Sequence, residues 1–325
     1  MKYTNLGRAG LTVSRLGLGT MNFGPVTPEA DAHQIMDRAL EAGVTLFDTA
    51  DIYGWKLGEG ITEQIIGRWF EQDPSRREKV VLATKMYGPM GRGPNTNRLS
   101  ALHIRRACEE SLRRLGTDRI DLLQLHHVDR STSWEEIWQA LEILVAQGKV
   151  LYVGSSNHAA WHIVTAQQEA RSRNLLGLVS EQSPYSLLER TVELEVLPAC
   201  EAHGIGFLPY SPLQGGLLAV SDGQEGKAVG RAAEPKTRRS LERHRDRLAA
   251  YKKWCADLGQ DPSRVALAWL LHQPGVTAPI IGPRTLAQFE QSLSATRLKL
   301  TDEQLTELDA LFPGPGGAAP EAYAW

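Results

Sequence analysis

The run Leu16-Gly17-Leu18-Gly19-Thr20-Met21-Asn22-Phe23-Gly24 opens with a short apolar strand and carries three glycines. A doubly wound sheet that binds a dinucleotide needs Gly-x-Gly-x-x-Gly directly after its first strand, so that backbone can approach a pyrophosphate. Here two glycines sit inside the apolar run itself, and the position that should hold the third is Asn22. The spacing argues against that turn. Seven further short apolar, β-branched runs follow: Thr45–Thr49, Val80–Lys85, Ile120–His126, Val150–Ser155, Leu178–Gln182, Gly206–Ser211 and Ala278–Gly282. Near-continuous apolar character over so few residues is expected of parallel strands buried on both faces.

Amphipathic segments separate these runs. Ala32, Ile35, Met36, Ala39 and Leu40 lie on one helical stripe, as do Trp134, Ile137, Trp138, Leu141, Leu144 and Val145. Thr27-Pro28-Glu29 reads as a helix start. Ser133-Trp134-Glu135-Glu136, Thr285-Leu286-Ala287-Gln288 and Thr301-Asp302-Glu303-Gln304 read as capping boxes. Gly43, Gly116, Gly148 and Gly204 fall where helices end in a left-handed residue. Eight strands alternating with helices, and no pyrophosphate turn, predict an α/β fold: a (β/α)8 TIM barrel in one domain, residues 1–325. An N-terminal β-hairpin (1–15, around Gly7-Arg8-Ala9-Gly10) should plug its bottom. A long loop runs from Gln214 to about Arg238 after strand 7, a charged helix spans 241–258, and an extra helix lies near the C-terminus. The tail from 312 to 325, opened by Pro313-Gly314-Pro315-Gly316-Gly317, is predicted to be irregular.

Of the 325 residues, 42% are hydrophobic and 23% charged, and 36 Lys+Arg against 38 Asp+Glu give a net charge of −2. Without a basic excess, nucleic acid and anionic membrane surfaces are disfavoured partners. Three widely spaced cysteines (Cys108, Cys200, Cys255) form neither a disulfide framework nor a CxxC site, and fit a reducing compartment. Met1-Lys2-Tyr3-Thr4-Asn5 lacks the pattern of a leader, and no apolar stretch is long enough to span a bilayer. The expectation is a cytoplasmic enzyme acting on a small molecule. A homo-oligomer is left open.

In such a barrel the chemistry sits at the carboxyl ends of the strands. Those ends present Asp48, Asp51 and Tyr53; Lys85; His126 and His127; Ser155, Ser156 and Asn157; Glu181 and Gln182; Tyr210 and Ser211; and Gly282, Pro283 and Arg284. Lys85 is the sharpest of these, because an ammonium ending a buried strand needs a counter-charge. Asp48, one strand away, can supply it. A cation beside the Tyr53 phenol favours the phenolate and lowers its pKa from about 10, which suits a general acid for a carbonyl oxygen. His126 can donate to the same oxygen. His127 points the other way and reads as pocket wall. Trp55 reads equally as pocket lining or rim cover, and Asp51 as a cap of the turn before Tyr53.

Phe47-Asp48-Thr49-Ala50-Asp51-Ile52-Tyr53-Gly54, Ala83-Thr84-Lys85 and Asp121-Leu122-Leu123-Gln124-Leu125-His126 resemble the active-site segments of the aldo-keto reductases. Val153-Gly154-Ser155-Ser156-Asn157, Glu181-Gln182, Tyr210-Ser211-Pro212-Leu213 and Ile281-Gly282-Pro283-Arg284-Thr285 resemble that family's cofactor segments, in the same order, over roughly residues 3 to 312. The resemblance implies an NADP-dependent (NADPH) oxidoreductase reducing a carbonyl. In it Tyr53 is the proton donor, Lys85 and Asp48 tune it, and His126 orients the carbonyl. It further implies that Ser156, Asn157 and Gln182 hold the nicotinamide carboxamide, and that Tyr210 stacks on the ring. Ser211, Leu213, Gln214 and Gly215 would face the pyrophosphate. Gly282, Arg284, Gln288, Gln291 and Ser292 would meet the adenosine end, where Gln291 and Ser292 depart from the family's usual residues. Thr20-Met21-Asn22-Phe23-Gly24-Pro25, His126-His127-Val128-Asp129-Arg130 and the ending Ala319–Trp325 look like actinobacterial reductases, some of which act on nucleotide-linked keto-deoxysugars. That suggests a keto- or enone-sugar substrate, walled by Trp55 and His127, with Arg231, Lys236, Arg238 and Arg239 near a diphosphate. The bland reading of Arg238–Arg247 is a solvated helix face.

Two rivals come from other classes. One is an NADPH-binding sensor with slow turnover. The other is a metal-dependent hydrolase using Asp48, Asp51, His126 and His127, which adjacent rather than alternate histidines disfavour; no metal ligand set is assigned.

Overall fold

The structure, a computed structural model, describes residues 1–54, 58–219 and 235–324. It begins with an antiparallel hairpin, β1 (Tyr3–Asn5) and β2 (Thr12–Ser14), paired from Tyr3↔Ser14 to Asn5↔Thr12. Then come β3 (Gly17–Gly19), α1 (Glu29–Glu41), β4 (Leu46–Asp48), α2 (Ile61–Gln72), β5 (Val81–Met86), α3 (Ala101–Leu115), β6 (Ile120–Leu125), α4 (Trp134–Ala146), β7 (Val150–Ser156), α5 (Ala160–Ser172), β8 (Leu178–Gln182), α6 (Val196–His203) and β9 (Gly206–Phe207). After these lie α7 (Pro235–Arg243), α8 (Arg245–Asp257), α9 (Pro262–His272), β10 (Ile280–Ile281), α10 (Leu286–Ser294), α11 (Asp302–Leu311) and α12 (Glu321–Ala324).

The eight strands β3–β10 form one parallel sheet in the order β10-β3-β4-β5-β6-β7-β8-β9. Its two edges meet: the Thr277 N–H donates to the Phe207 carbonyl and the Ile280 N–H to the Pro209 carbonyl, both at 2.8 Å. The predicted (β/α)8 barrel is therefore present. Its last two strands are shorter than the runs 206–211 and 278–282 predicted. Pro209 and Pro279 stand within those runs and have no N–H to give to a ladder.

Gly17 and Gly19 prove to be a packing feature. A Cβ on Gly17 would come 2.5 Å from Cδ1 of Ile280, and one on Gly19 would come 2.8 Å from its Cγ2. The Gly-x-Gly of the opening strand thus makes room for a neighbouring barrel side chain, not for a phosphate.

The hairpin seals the bottom, as expected. Leu6, Ala9 and Val13 pack with Leu46, Ala83, Leu122, Leu208 and Ala278, all buried. The alternate strand residues Phe47, Leu82 and Leu123 face the helices instead.

Some local signals govern the helix ends and others yield to tertiary contacts. Gly43, Gly116, Gly148 and Gly204 all have positive φ at helix ends. Thr301–Gln304 is a full capping box. Ser133 and Thr285 also cap their helices, but the other half of each box is spent elsewhere: Glu136 accepts from the Ala101 N–H and Gln288 from the Arg284 N–H. Thr27 does not cap α1; its hydroxyl donates to the Arg284 carbonyl, and Pro28 holds the N-cap position. The charged helix expected over 241–258 is two helices, because His244 leaves helical geometry at φ −113°, ψ 14°. In the tail, helix returns for one turn in α12, where Glu321, Ala322 and Ala324 are helix formers beyond the last glycine. Cys108, Cys200 and Cys255 are buried and free. Among the described residues no helix is long and apolar enough to cross a membrane.

Candidate active site

Period-2 alternation aims the key side chains. On β4 the inward residues are Leu46 and Asp48; on β5 they are Ala83 and Lys85; on β6 they are Leu122 and Gln124. Apolar side chains fill the lower layer and polar ones the layer above. Lys85 is wholly buried, and its Nζ donates to Asp48 Oδ2 at 2.5 Å, to the Thr49 carbonyl at 2.9 Å and to the Tyr53 hydroxyl at 3.3 Å. Burial alone would push this ammonium down. Attraction from Asp48 and Tyr53, with their hydrogen bonds, outweighs it and holds Lys85 above its usual value.

Asp48 has a second set of partners. Its Oδ1 accepts from Gln124 Nε2 at 3.0 Å and from Gln182 Nε2 at 2.8 Å, and Gln182 Nε2 also reaches Gln124 Oε1 at 3.2 Å. Both glutamines are almost fully buried. So Gln182, read from the sequence as a carboxamide ligand, places its amide nitrogen within the tetrad's base. Gln124 was missed altogether. Its signal was available, for it stands two residues before His126 and must share that residue's face of β6.

The His126 ring stands edge-on to Tyr53, with centroids 5.9 Å apart. Burial, reinforced by the charges of Lys85 and His127, pushes His126 down to about 3, so the ring is neutral and can donate a hydrogen bond without bringing charge. The adjacent His127 is exposed and lies against Tyr87, at 5.4 Å. Asp51 does not read as an open turn cap; it is fully buried, and burial followed by the nearby Glu63 carboxylate raises it well above the usual range. Glu63 in turn accepts from Thr84 at 2.6 Å and from Arg114 at 2.7 Å. Among the described residues no group of three or more His, Cys, Asp or Glu side chains is arranged to hold a metal ion. Trp55 lies outside the described residues, as does Arg231.

The other expected residues form an arc along the ends of β7 to β10. Ser156 is buried. Asn157, at φ 60°, donates from Nδ2 to the His126 carbonyl (3.1 Å) and Ser156 Oγ (3.0 Å), and its Oδ1 accepts from the Tyr210 hydroxyl at 2.8 Å. The carboxylate of Glu181 lies beneath this turn. It accepts from Ser155 and Ser183 hydroxyls and the His158 N–H, yet burial still lifts it to about 7. Beyond β9, Ser211, Gln214, Gly215 and Gly216 all have positive φ, and Leu213 lies among them. Past β10 come the exposed Gly282 and then Arg284, beside the Thr285-capped start of α10. Ser292 is buried, its Oγ donating to the Gln288 carbonyl at 2.9 Å; Gln288 is half-buried and Gln291 exposed.

A barrel whose mouth holds this Asp-Tyr-Lys-His set defines a class of reductase. A family model for the aldo/keto reductase family matches residues 15–312, and the chain belongs to that family. It is thus an oxidoreductase of a family that works with nicotinamide cofactors. It is 54% identical to the uncharacterized oxidoreductase YrpG of Bacillus subtilis, with the whole of both chains covered. It is 32% identical to Protein tas of Escherichia coli, over 97% of this chain and 100% of that one. It is also 32% identical to versiconal hemiacetal acetate reductase of Aspergillus parasiticus, over 97% and 99%.

Proposed function

We propose that this protein reduces a carbonyl with NADPH and that Tyr53 delivers the proton. The observation that carries the reading is the Lys85 ammonium, buried, held by Asp48 and 3.3 Å from the Tyr53 hydroxyl. A cation there stabilises the charge that Tyr53 acquires as its proton leaves, which makes the phenol a stronger acid. The neutral His126 ring donates to the carbonyl oxygen, and with Tyr53 it polarises the electrophile and fixes its orientation.

The arc fits a nicotinamide dinucleotide. Ser156, Asn157 and Gln182 would hold its carboxamide, Gln182 while its amide nitrogen stays on Asp48, and Tyr210 would stack on the ring. The turn through Ser211, Leu213, Gln214 and Gly215, left-handed at Ser211, Gln214 and Gly215, would face the pyrophosphate. Arg284 and the N-terminus of α10 provide positive potential for an adenosine phosphate, with Gly282, Gln288, Gln291 and Ser292 around them. When bound, the cofactor supplies the hydride; the chain supplies position, polarisation and the proton.

For the substrate we propose a keto- or enone-sugar, nucleotide-linked as in the actinobacterial enzymes the sequence resembles. His127 and Trp55 would wall it, and Arg239, exposed on α7, would face the diphosphate. The test is Tyr53→Phe. NADPH binding, followed by fluorescence, should be retained, while NADPH oxidation against a panel of aldehydes, ketones, quinones and nucleotide keto-sugars should fall by about 10²- to 10⁴-fold. Undiminished turnover would overturn the mechanism. Tight NADPH binding with no turnover of any panel member by the unaltered protein would favour a sensor.

A further inference from the structure

We propose that Gln124 is a positioning residue of the catalytic site: its amide fixes the Asp48 carboxylate so that Lys85 is held against Tyr53. The inference rests on the tyrosine mechanism proposed above. In the sheet, Lys85 on β5 pairs directly with Gln124 on β6, and Gln124 pairs with Gly154 on β7. Gly154 makes the room, since a Cβ there would come 3.2 Å from Gln124 Cγ and 2.2 Å from Ser180 Oγ. An amide in that space, fully buried, must find partners, and it finds Asp48 Oδ1 on one side and Gln182 Nε2 on the other.

The division of labour on Asp48 follows from these contacts. Oδ1 is occupied by two amides that belong to β6 and β8, and Oδ2 is left to Lys85. Amide donors stabilise the ionised carboxylate and stop it rotating. The ammonium is then anchored from one direction, with the Thr49 carbonyl below it and the Tyr53 hydroxyl as its third partner. Without Gln124, Asp48 is held by one amide. It turns toward Lys85 and draws the ammonium away from the phenol. Titratable groups that face Tyr53 include Lys85, His126 and, behind Lys85, Asp48; Asp51 lies two residues before it in the chain.

The experiment compares Gln124→Leu, Gln124→Glu and Tyr53→Phe with the unaltered chain. It reads the pH profile of kcat and KM, the phenolate absorbance titration of Tyr53 taken as the difference from Tyr53→Phe, and thermal melting. Gln124→Leu should lower kcat about tenfold with little change in KM. It should also move the Tyr53 titration and the alkaline limb of kcat upward by about half a unit to one unit. In Gln124→Glu, a protonated carboxyl can still donate to Asp48 and accept from Gln182, so activity should be rescued at low pH and lost as the new acid ionises. A merely structural role would lower the melting temperature and leave both titrations in place. Native turnover and an unmoved Tyr53 titration in Gln124→Leu would overturn the proposal. If that variant does not fold, a pH profile of Gln124→Glu parallel to that of the unaltered chain overturns it instead. Failure of the tyrosine mechanism is read separately, from turnover retained in Tyr53→Phe.

Discussion

Lys85→Met removes one member of a buried ion pair while nearly preserving its volume, and the structure sets the size of the effect. Lys85 is 0% exposed and Asp48 only 3%. Deleting one partner of such a pair leaves an uncompensated charge and costs about 3–5 kcal/mol. Asp48 would keep its two amide donors, Gln124 and Gln182, which places the loss at the low end, about 3 kcal/mol. A methionine also leaves the Thr49 carbonyl without its bond from Nζ, a smaller term of about 1 kcal/mol. The charge part depends on pH. A buried carboxylate without its cation binds a proton more readily in the folded than in the unfolded chain, so stability falls as pH rises. The destabilisation should therefore be about 3–4 kcal/mol near pH 8 and visibly smaller near pH 5. Adding Asp48→Asn, which keeps an acceptor for the glutamines without the charge, should restore more than half of the loss. Equilibrium unfolding in urea, followed by tryptophan fluorescence with the slope checked for constancy, measures all three chains. A loss below about 1 kcal/mol near pH 8, or one equal at both pH values, would refute the claim that Asp48 is a buried charge dependent on Lys85.

His126, pushed down from 6.5 to about 3, should stay neutral through ordinary assay conditions. kcat for reduction should then show no acid limb near the normal histidine value, and a limb there that His126→Gln abolishes would contradict this. The same depression makes the folded chain bind fewer protons than the unfolded one, so this histidine's contribution to stability is complete above 6.5 and is lost as pH falls toward 3. Gly67→Ala should lower the melting temperature although alanine favours helix, because its Cβ would come 2.3 Å from the Arg114 carbonyl where α2 packs on α3. The net loss should be about 1–2 kcal/mol, and an unchanged melting temperature would show that the two helices have slack. Arg284→Ala should weaken NADPH binding about tenfold or more while sparing NADH, as judged by fluorescence titration of both; equal losses would place the phosphate elsewhere.

The readable parts of this molecule are those where a residue had one physical solution. A lysine ending a buried strand needed a carboxylate, and Asp48 was within one strand of it; the structure supplies that pair at 2.5 Å. The glycines of the first strand were wrong for a phosphate turn, and the side chain of Ile280 now explains why they are glycines. The parts that could not be read are those where several partners would have served. Pattern places Gln182 at a strand end, but an amide has both donors and acceptors, and only tertiary packing sends its nitrogen to Asp48. Glu136 had a local cap to complete and took a partner on another helix instead, while Gln288 took the N–H one residue before the cap, that of Arg284. Proline cut the last two strands short because a ladder needs donors that periodicity does not count. Gln124 belongs between these groups. Its face follows from His126 by simple alternation, so its position was readable, while its partner was not. By pattern it is one more residue of a buried strand, and only the tertiary contact with Asp48 Oδ1 makes it part of the site.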